Sequence, residues 1–346
     1  MAMRITTTLR QDDLGRVPDA VRRAEADGYD GIITMENRHD PFMALAVAAT
    51  SSSRIGLGTA VAIAFPRSPM VVANTCWDLQ RASRGRFVLG IGPQIRPHNE
   101  RRFSVAWSPP VPRLREYVQA LRAIWRCWET GERLRFEGEH YRFSLMTPNF
   151  VPGPTGCPTP RVNIAAVGPN SLRLAGEVAD GVHLHPFCTR RYLEEVCLPR
   201  MAAGMAAGGR SREDFEIAGG GFIATGATDA EVASAVEQVR TRVAFYGSTP
   251  GYWPVLELHG LAELGRKLNR MTREGEWERM AREVSDDTVR LFAVVGRHDE
   301  LAQEIRERFC GLVDTIHSSM SMDMRPALPP DLIQEIRRLP AAYCGG

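Results

Sequence analysis

A short polar segment with acid and base groups follows the second predicted strand of this chain. After the apolar run Gly31–Thr34 come a carboxylate, an imidazole and a second carboxylate, in the order Glu36-Asn37-Arg38-His39-Asp40-Pro41. Because imidazole exchanges protons near neutral pH, we predict that His39 is a general acid or base and that Glu36 orients it. Helix capping by the His39–Asp40 pair is the alternative.

Two further histidines alternate along the predicted strand Gly181–His185, so His183 and His185 face the same side. No third ligand lies at a suitable spacing, and we therefore predict no metal site. We expect His185 to contact substrate, with plain packing as the alternative. Hydrolase and phosphotransfer classes are disfavoured, because the chain has no GxSxG, Walker or HExxH pattern.

A turn of small residues joins the predicted strand Val162–Val167 to a helix predicted at Ser171–Ala179. The free N–H groups at the start of a helix form an anion site, which suits the phosphate group of a cofactor. Capping by Asn170 or Ser171 is the alternative. The cofactor-binding residues predicted at this turn are Ala166, Val167, Gly168, Pro169, Asn170 and Ser171.

Two apolar strands end in small residues, which suggests a flat ligand across the top of a parallel sheet. One lies within Arg54–Pro69, where Gly56, Gly58 and Ala60 remove bulk next to the backbone. The other is Arg86–Gly92. The alternative is that these glycines simply end strands.

Strands and helices alternate along the chain in one repeating unit. Right-handed crossovers make such strands parallel, and eight units favour an α/β fold of the closed (β/α)8 TIM-barrel type. We expect one domain over residues 1–318, with insertions after strands 4 and 7 at about 93–146 and 247–286, and a surface tail at 319–346. The predicted strands are Arg4–Thr8, Gly31–Thr34, Ile55–Ile63, Phe87–Gly92, Val162–Val167, Gly181–His185, Phe215–Thr225 and Leu312–His317.

Insertions in a barrel usually lie on the catalytic face and shape the substrate pocket. The first insertion includes a predicted hairpin, Leu134–Phe143. We expect Trp107, Asn149 and Phe150 to be pocket walls, with core packing as the alternative.

Composition indicates an ordinary soluble globular protein. The 346 residues are 44% hydrophobic, and the net charge of +2 disfavours a nucleic-acid or membrane partner and leaves a small-molecule substrate. Seven scattered cysteines without a CxxC pair predict reduced thiols in the cytoplasm. The longest apolar run, Phe42–Ala49, is too short to span a bilayer.

Three motifs in barrel order carry a resemblance to a known family. They are GTAVAIAFPRSP at 58–69, SRGRFVLGIG at 83–92 and AAVGPNSLRLAGEVADG at 165–181. From Arg4 to about Ser318 the chain resembles the bacterial luciferase-like superfamily of (β/α)8 barrels. Within it, the chain is similar to the actinobacterial oxidoreductases that depend on the deazaflavin coenzyme F420.

The resemblance implies hydride transfer between coenzyme F420 and an organic substrate. It implies a bulge in the third strand behind the flat ring, with a cis peptide bond between Ala60 and Val61. It also implies that Thr59, Ala60 and Val61 contact the cofactor. It also implies that His39 lies near the reactive ring carbon, where Glu36 orients it or contacts the ring.

In the loop after the fourth strand, the resemblance implies that His98 contacts the cofactor. Some relatives carry a proton-donating glutamate in this loop, where an ungapped match puts Ile95 beside Gln94. We expect Gln94 to hydrogen-bond a ring carbonyl or substrate, because a glutamine cannot deliver a proton as a carboxylic acid does.

Two other functions are consistent with the same barrel. One is a monooxygenase that uses reduced flavin (FMN) and oxygen, and the other is a non-catalytic cofactor-binding barrel. Because relatives often pair through the helices beside the early strands, the resemblance also implies a homodimer.

Overall fold

The computed structural model describes residues 1–318 and 328–344, and its main sheet is a closed parallel barrel. Neighbouring strands pair in parallel, and the circle closes where Leu57 of the third strand pairs with Phe87 of the fourth. The predicted TIM barrel is confirmed. In the described residues the eight barrel strands are Arg4–Thr8, Gly31–Thr34, Gly56–Thr59, Phe87–Gly92, Arg161–Ala166, Gly181–Leu184, Glu216–Gly219 and Thr315–His317.

Helices cover the outside of the barrel and often begin with a proline in the first turn. Asp40 Oδ1 accepts the Phe42 N–H at 2.8 Å, so Asp40 caps the helix after the second strand. Within the described part of the chain, we find no helix that is long and apolar enough to span a membrane. The helices are Val17–Asp27, Pro41–Ser51, Pro69–Ala82, Arg96–Arg101, Pro110–Thr130, Pro169–Val178, Arg190–Tyr192, Leu198–Ala207, Asp229–Gly247, Trp253–Leu258, Ala262–Arg273, Asp286–Phe292, Leu301–Phe309 and Pro330–Arg337, with π-helical residues Leu193–Cys197 and short 3₁₀ turns at Leu14–Arg16, Pro148–Phe150, Pro250–Tyr252 and Met280–Glu283.

The third barrel strand is interrupted at its carboxyl end. Pairing stops at Thr59 and resumes in a two-residue strand, Ala62–Ile63, beside the fourth strand. The peptide bond between Ala60 and Val61 is cis, as the resemblance implies. The predicted continuous strand is therefore two strands with a bulge between them.

The predicted strand Phe215–Thr225 is also two strands. Its first part belongs to the barrel, whereas Phe222–Gly226 pairs in parallel with Ala293–Arg297, a strand that our sequence analysis missed. Between the two parts, Gly219 and Gly220 have φ angles of 88° and 104°. Glycine adopts this left-handed backbone readily, which lets the chain leave the barrel at this point.

The hairpin of the insertion after the fourth strand packs against a helix on the outside of the barrel. The hairpin is present, with antiparallel pairing within residues 136–143. The Glu116 carboxylate of the helix Pro110–Thr130 accepts the N–H groups of Glu139 at 3.0 Å and His140 at 2.8 Å. These bonds hold the hairpin turn against the helix.

The described part of the tail packs at the end of the barrel opposite its mouth. The Met3 N–H, next to the start of the first strand, donates to Leu339 O at 2.7 Å. Ile333 and Ile336 of the last helix are fully buried. Residues 319–327 and 345–346 of the predicted tail lie outside the described residues.

Candidate functional site

A cavity of about 650 Å³ opens at the carboxyl ends of the barrel strands. It is lined by residues at or just after the carboxyl ends of the second to the sixth barrel strands, together with His317 of the eighth strand, part of the helix Asp229–Gly247, and Tyr252. This end is where (β/α)8 barrels bind their ligands.

Glu36 lines the cavity, but its carboxylate is already paired. Both carboxylate oxygens accept hydrogen bonds from Arg67 Nη1, at 2.8 and 2.7 Å, and one also accepts the Ile63 N–H at 2.7 Å. Arg67 Nη2 donates to Asp40 at 2.9 Å. Burial alone would lower the pKa of Arg67, but the hydrogen bonds and charges of Glu36 and Asp40 raise it. Glu36 therefore anchors the bulge of the third strand and does not orient His39.

Two predicted histidines do not reach the cavity. His39 is exposed near Asp12, and the carboxylates of Glu36 and Asp40 on either side of it form ion pairs with Arg67. His98 is exposed in the short helix Arg96–Arg101. Contrary to our expectation, neither side chain lines the cavity.

Small residues of the third, fourth and fifth strands form one wall of the cavity. Ala60, Val61, Gly92, Ala165 and Ala166 all line it. A Cβ atom built on Gly92 would lie 3.1 Å from Val61 Cγ2 and 3.3 Å from Ala165 Cβ. The three strands therefore approach one another closely here and leave the space above them free for a ligand.

Thr59 lies behind this wall and does not line the cavity. Its hydroxyl donates to Gly90 O at 2.6 Å and accepts the Gly90 N–H at 2.9 Å. A Cβ atom on Gly90 would lie 1.9 Å from Thr59 O, so only glycine fits there. The predicted cofactor contact of Thr59 is corrected to a tie between the third and fourth strands.

Gln94 lines the cavity at the end of the fourth strand, beside Ile95. Its φ angle of 58° is uncommon for a residue with a Cβ atom. Its side-chain Oε1 accepts the Ile95 N–H at 2.9 Å. This bond leaves the amide nitrogen of Gln94 to donate to a ligand.

The helix Pro169–Val178 begins at the cavity without a side-chain cap. Gly168 is the N-cap residue, and neither Asn170 nor Ser171 caps the helix, so that alternative is not observed. Gly168 and Ser171 line the cavity with Ala166 and Val167, whereas the side chains of Pro169 and Asn170 do not. Uncapped N–H groups at a helix start attract anions, and this geometry fits the predicted phosphate site.

Three predicted substrate residues lie away from the cavity. Trp107, Asn149 and Phe150 do not line it, and Phe150 is 74% exposed. The chain just after Phe150 is held against an outer helix, where Trp77 Nε1 donates to Gly153 O at 2.9 Å. This attachment keeps the segment around Phe150 on the side of the barrel.

An aromatic cluster that the sequence analysis did not assign forms another wall of the cavity. The ring of His185, which we did predict, lies 4.4 Å from that of Tyr246 and 4.7 Å from that of Tyr252, between centroids. Tyr246 belongs to the helix Asp229–Gly247, and Tyr252 to the insertion after the seventh strand. The many aromatic residues of that insertion were the feature of the sequence that could have predicted this wall.

His185 presents a neutral imidazole to the cavity. Its Nδ1 accepts the Phe187 N–H at 2.9 Å, and burial lowers the pKa of His185 to about 3. The proton of the neutral ring is therefore on Nε2, which can donate a hydrogen bond but is a weak acid. Burial raises the pKa of both Tyr246 and Tyr252, so these side chains stay as phenols.

Two buried histidines form the floor of the cavity. His183 and His317, with ring centroids 5.7 Å apart, also line an inner cavity of about 50 Å³. Burial lowers the pKa of His183 to about 4. Burial and then the proximity of His183 lower the pKa of His317 to about 3. The floor is therefore polar but uncharged at neutral pH.

Glu216 lines the inner cavity as a buried carboxylate. Arg4 and Arg161 lie 3.5 and 3.6 Å from it, and Thr315 and Asn163 donate hydrogen bonds to it at 2.6 and 3.1 Å. Burial alone would raise the pKa of Glu216, but the two guanidinium groups and the hydrogen bonds lower it to about 2. The ionised carboxylate thus links residues of the first, fifth and eighth barrel strands inside the barrel.

A family model described as luciferase-like monooxygenase matches residues 2–315, nearly the whole chain. The chain belongs to this family. Its members are oxidoreductases, and the barrel mouth described above is therefore the candidate active site of an oxidoreductase of the luciferase-like family.

Two relatives match most of the chain in sequence. The chain is 49% identical over 305 residues to the uncharacterized protein Rv1360 of Mycobacterium tuberculosis, covering 88% of this chain and 90% of that protein. It is 30% identical to a 5,10-methylenetetrahydromethanopterin reductase of Archaeoglobus fulgidus, covering 83% and 84%.

Two solved structures share the fold at low sequence identity. A coenzyme F420 dependent tetrahydromethanopterin reductase from Methanopyrus kandleri has a TM-score of 0.78 at 18% identity, covering 98% of both chains. EDTA monooxygenase from Chelativorans sp. BNC1 has a TM-score of 0.72 at 15% identity, covering 99% of this chain and 96% of that one. At these identities the likeness shows the fold alone.

Proposed function

We propose that this protein binds the deazaflavin coenzyme F420 at the barrel mouth and transfers a hydride to or from an organic substrate. The observation that carries the proposal is the pairing of two features in one cavity: a wall of small residues and an uncapped helix start at Gly168. The first suits a planar ring system and the second its phosphate. The 30% identity to a reductase from Archaeoglobus fulgidus supports the same class of reaction.

A deazaflavin accepts and supplies hydride when bound, and the barrel supplies orientation and hydrogen bonds. The N–H groups of Asn170 and Ser171 would hold the phosphate, and Gln94 would donate to a polar edge of the ring system. His185 Nε2 would donate to a substrate oxygen or nitrogen and so position it. We place this reaction in the cytoplasm, because the seven cysteines are free thiols.

The proposal is tested by titrating the purified protein with F420, with FMN and with the deazaflavin chromophore that lacks the phosphate, followed by fluorescence. We expect F420 to bind most tightly. Replacing Ser171 with aspartate puts a carboxylate at the helix start, so F420 binding should weaken about tenfold or more, as a loss of about 1.4 kcal/mol gives. The phosphate-free chromophore should bind the variant as it binds the wild type.

An acidic residue in the first helical turn stabilises the helix, so Ser171→Asp should fold normally, and its thermal unfolding is the control. Preference for FMN together with NADH-coupled oxygen uptake would identify a monooxygenase instead. If F420 binds but its reduced form turns over none of a panel of ketones, imines and enones, the barrel is a cofactor carrier.

We also propose that the chain forms a homodimer through the helices beside the second and third strands. Met43 and Val71 on these helices are 58% and 56% exposed, and paired chains would bury them. Light scattering should give the mass of two chains for the wild type and of one chain for the Met43→Glu, Val71→Glu double variant.

The control for the dimer test is Leu145→Glu, which changes an apolar side chain that is 79% exposed in the insertion after the fourth strand. This variant should keep the mass of two chains. A monomeric wild type, or dissociation by Leu145→Glu alone, would refute the proposed interface.

A further inference from the structure

Two arginine side chains line the cavity at the barrel mouth, and the carboxylate of Glu36 in the same lining is already paired. Arg38 and Arg242 both line it, and the lining carboxylate of Glu36 is bound to Arg67. Within residues 1–318 and 328–344, no acidic side chain forms an ion pair with Arg242. A guanidinium group facing a cavity without a carboxylate partner is a binding site for an anion.

Arg242 differs from Arg38 in its surroundings. Arg38 is exposed, whereas Arg242 is half-buried. On its helix, Arg242 lies one turn before Tyr246, so the two side chains share a face, and Tyr246 contacts His185 and Tyr252. The charge of Arg242 is therefore placed at the edge of the aromatic wall, where partial burial strengthens its attraction for an anion.

The position of Arg242 separates it from the proposed phosphate site. Gly168 and Ser171 follow the fifth barrel strand, whereas the helix of Arg242 follows the strand Phe222–Gly226, beyond the seventh barrel strand. The aromatic rings beside Arg242 offer packing surface to a planar or apolar group. A ligand could therefore place an anionic group on Arg242 and pack an apolar group against the neighbouring aromatic rings.

We propose that Arg242 binds the carboxylate of the substrate, and that the substrate is an organic acid whose planar or apolar body packs against His185, Tyr246 and Tyr252. This inference rests on the proposed function, because it names the substrate class of the same cavity. The guanidinium group forms two parallel hydrogen bonds to a carboxylate, a geometry that a neutral amide of the same shape cannot match.

The test compares the binding of 2-naphthoate, 2-naphthamide and 2-naphthyl phosphate by calorimetry, with and without saturating F420. In the wild type, naphthoate should bind about tenfold more tightly than naphthamide. This ratio should fall to about one in Arg242→Gln and recover in part in Arg242→Lys. With F420 present, naphthyl phosphate is excluded from the helix start and reports on Arg242 alone.

Arg200→Gln is the matched control, since Arg200 is exposed on a helix outside the cavity and the charge change is the same. It should leave the naphthoate ratio unchanged. An unchanged ratio in Arg242→Gln would overturn the inference, as would tighter binding of naphthyl phosphate than of naphthoate when F420 is present. Loss of F420 affinity in Arg242→Gln would assign the residue to the cofactor. A failure of F420 to bind the wild type would refute the proposed function. This result is separate from the test of Arg242, because the ratio of naphthoate to naphthamide binding is also measured without F420.

Discussion

Replacing Ala165 with phenylalanine is expected to abolish binding of F420 at the barrel mouth. Ala165 lines the cavity between Gly92 of the fourth strand and His183 of the sixth strand, so an added phenyl ring would project into the space that the ligand needs. Affinity should fall about 100-fold or more, which corresponds to about 2.7 kcal/mol. Fluorescence titration with F420 measures the loss.

The matched control is Ala165→Ser, which adds one oxygen atom and should change the affinity less than about threefold. Both variants should unfold near the wild-type temperature, because the added atoms enter the cavity and not the packed core. Wild-type affinity in a folded Ala165→Phe variant would place the cofactor elsewhere.

Neutralising the carboxylate inside the barrel, by Glu216→Gln, is expected to destabilise the protein by about 3 kcal/mol at pH 7. The variant leaves Arg4 and Arg161 without the charge that they face. The pKa of Glu216 is about 2 in the folded chain, against the ordinary value of 4.5. The contribution of the ionised Glu216 to the free energy of unfolding is therefore complete above pH 4.5 and is lost as the pH falls towards 2.

Urea unfolding at two pH values measures this effect. The difference between wild type and Glu216→Gln should shrink from about 3 kcal/mol at pH 7 to about half of that at pH 3. Glu213→Gln, which changes an exposed neighbour, should have little effect at either pH. A difference that is equal at pH 7 and pH 3 would contradict the ionised state that we assign to Glu216.

The parts of the site that could be predicted are those set by local backbone. Small residues at the carboxyl end of a strand indicate where a ligand can approach the backbone, and Val61 and Ala166 do line the cavity. The turn of small residues after the fifth strand indicates the start of a helix, and the helix begins at Pro169, two residues before the predicted Ser171. These patterns depend only on residues that are neighbours in the sequence, so they can be read from one sequence alone.

The parts that failed depend on partners distant in sequence. His39 has the residue type and position of a catalytic group, but Arg67 holds Glu36 and Asp40 and leaves the imidazole exposed. Phe150 is apolar and lies between the fourth and fifth barrel strands, yet its neighbours attach to an outer helix. Which side of a loop faces the cavity is decided by such contacts.

The same limit explains the residues that were missed. Tyr246 and Arg242 lie on the helix Asp229–Gly247, whose sequence resembles that of any outer helix, and only its approach to His185 brings them to the cavity. Glu216 opens a barrel strand as a lone carboxylate. Its two arginine partners are contributed by the first and fifth strands, which no local pattern relates to it.

The most direct test of the account is a crystal structure of the protein with F420 bound. The phosphate should lie within hydrogen-bonding distance of the Asn170 and Ser171 N–H groups, with the ring system against Ala60 and Val61. A phosphate bound away from the start of the helix Pro169–Val178, or a ring system outside the cavity, would contradict it.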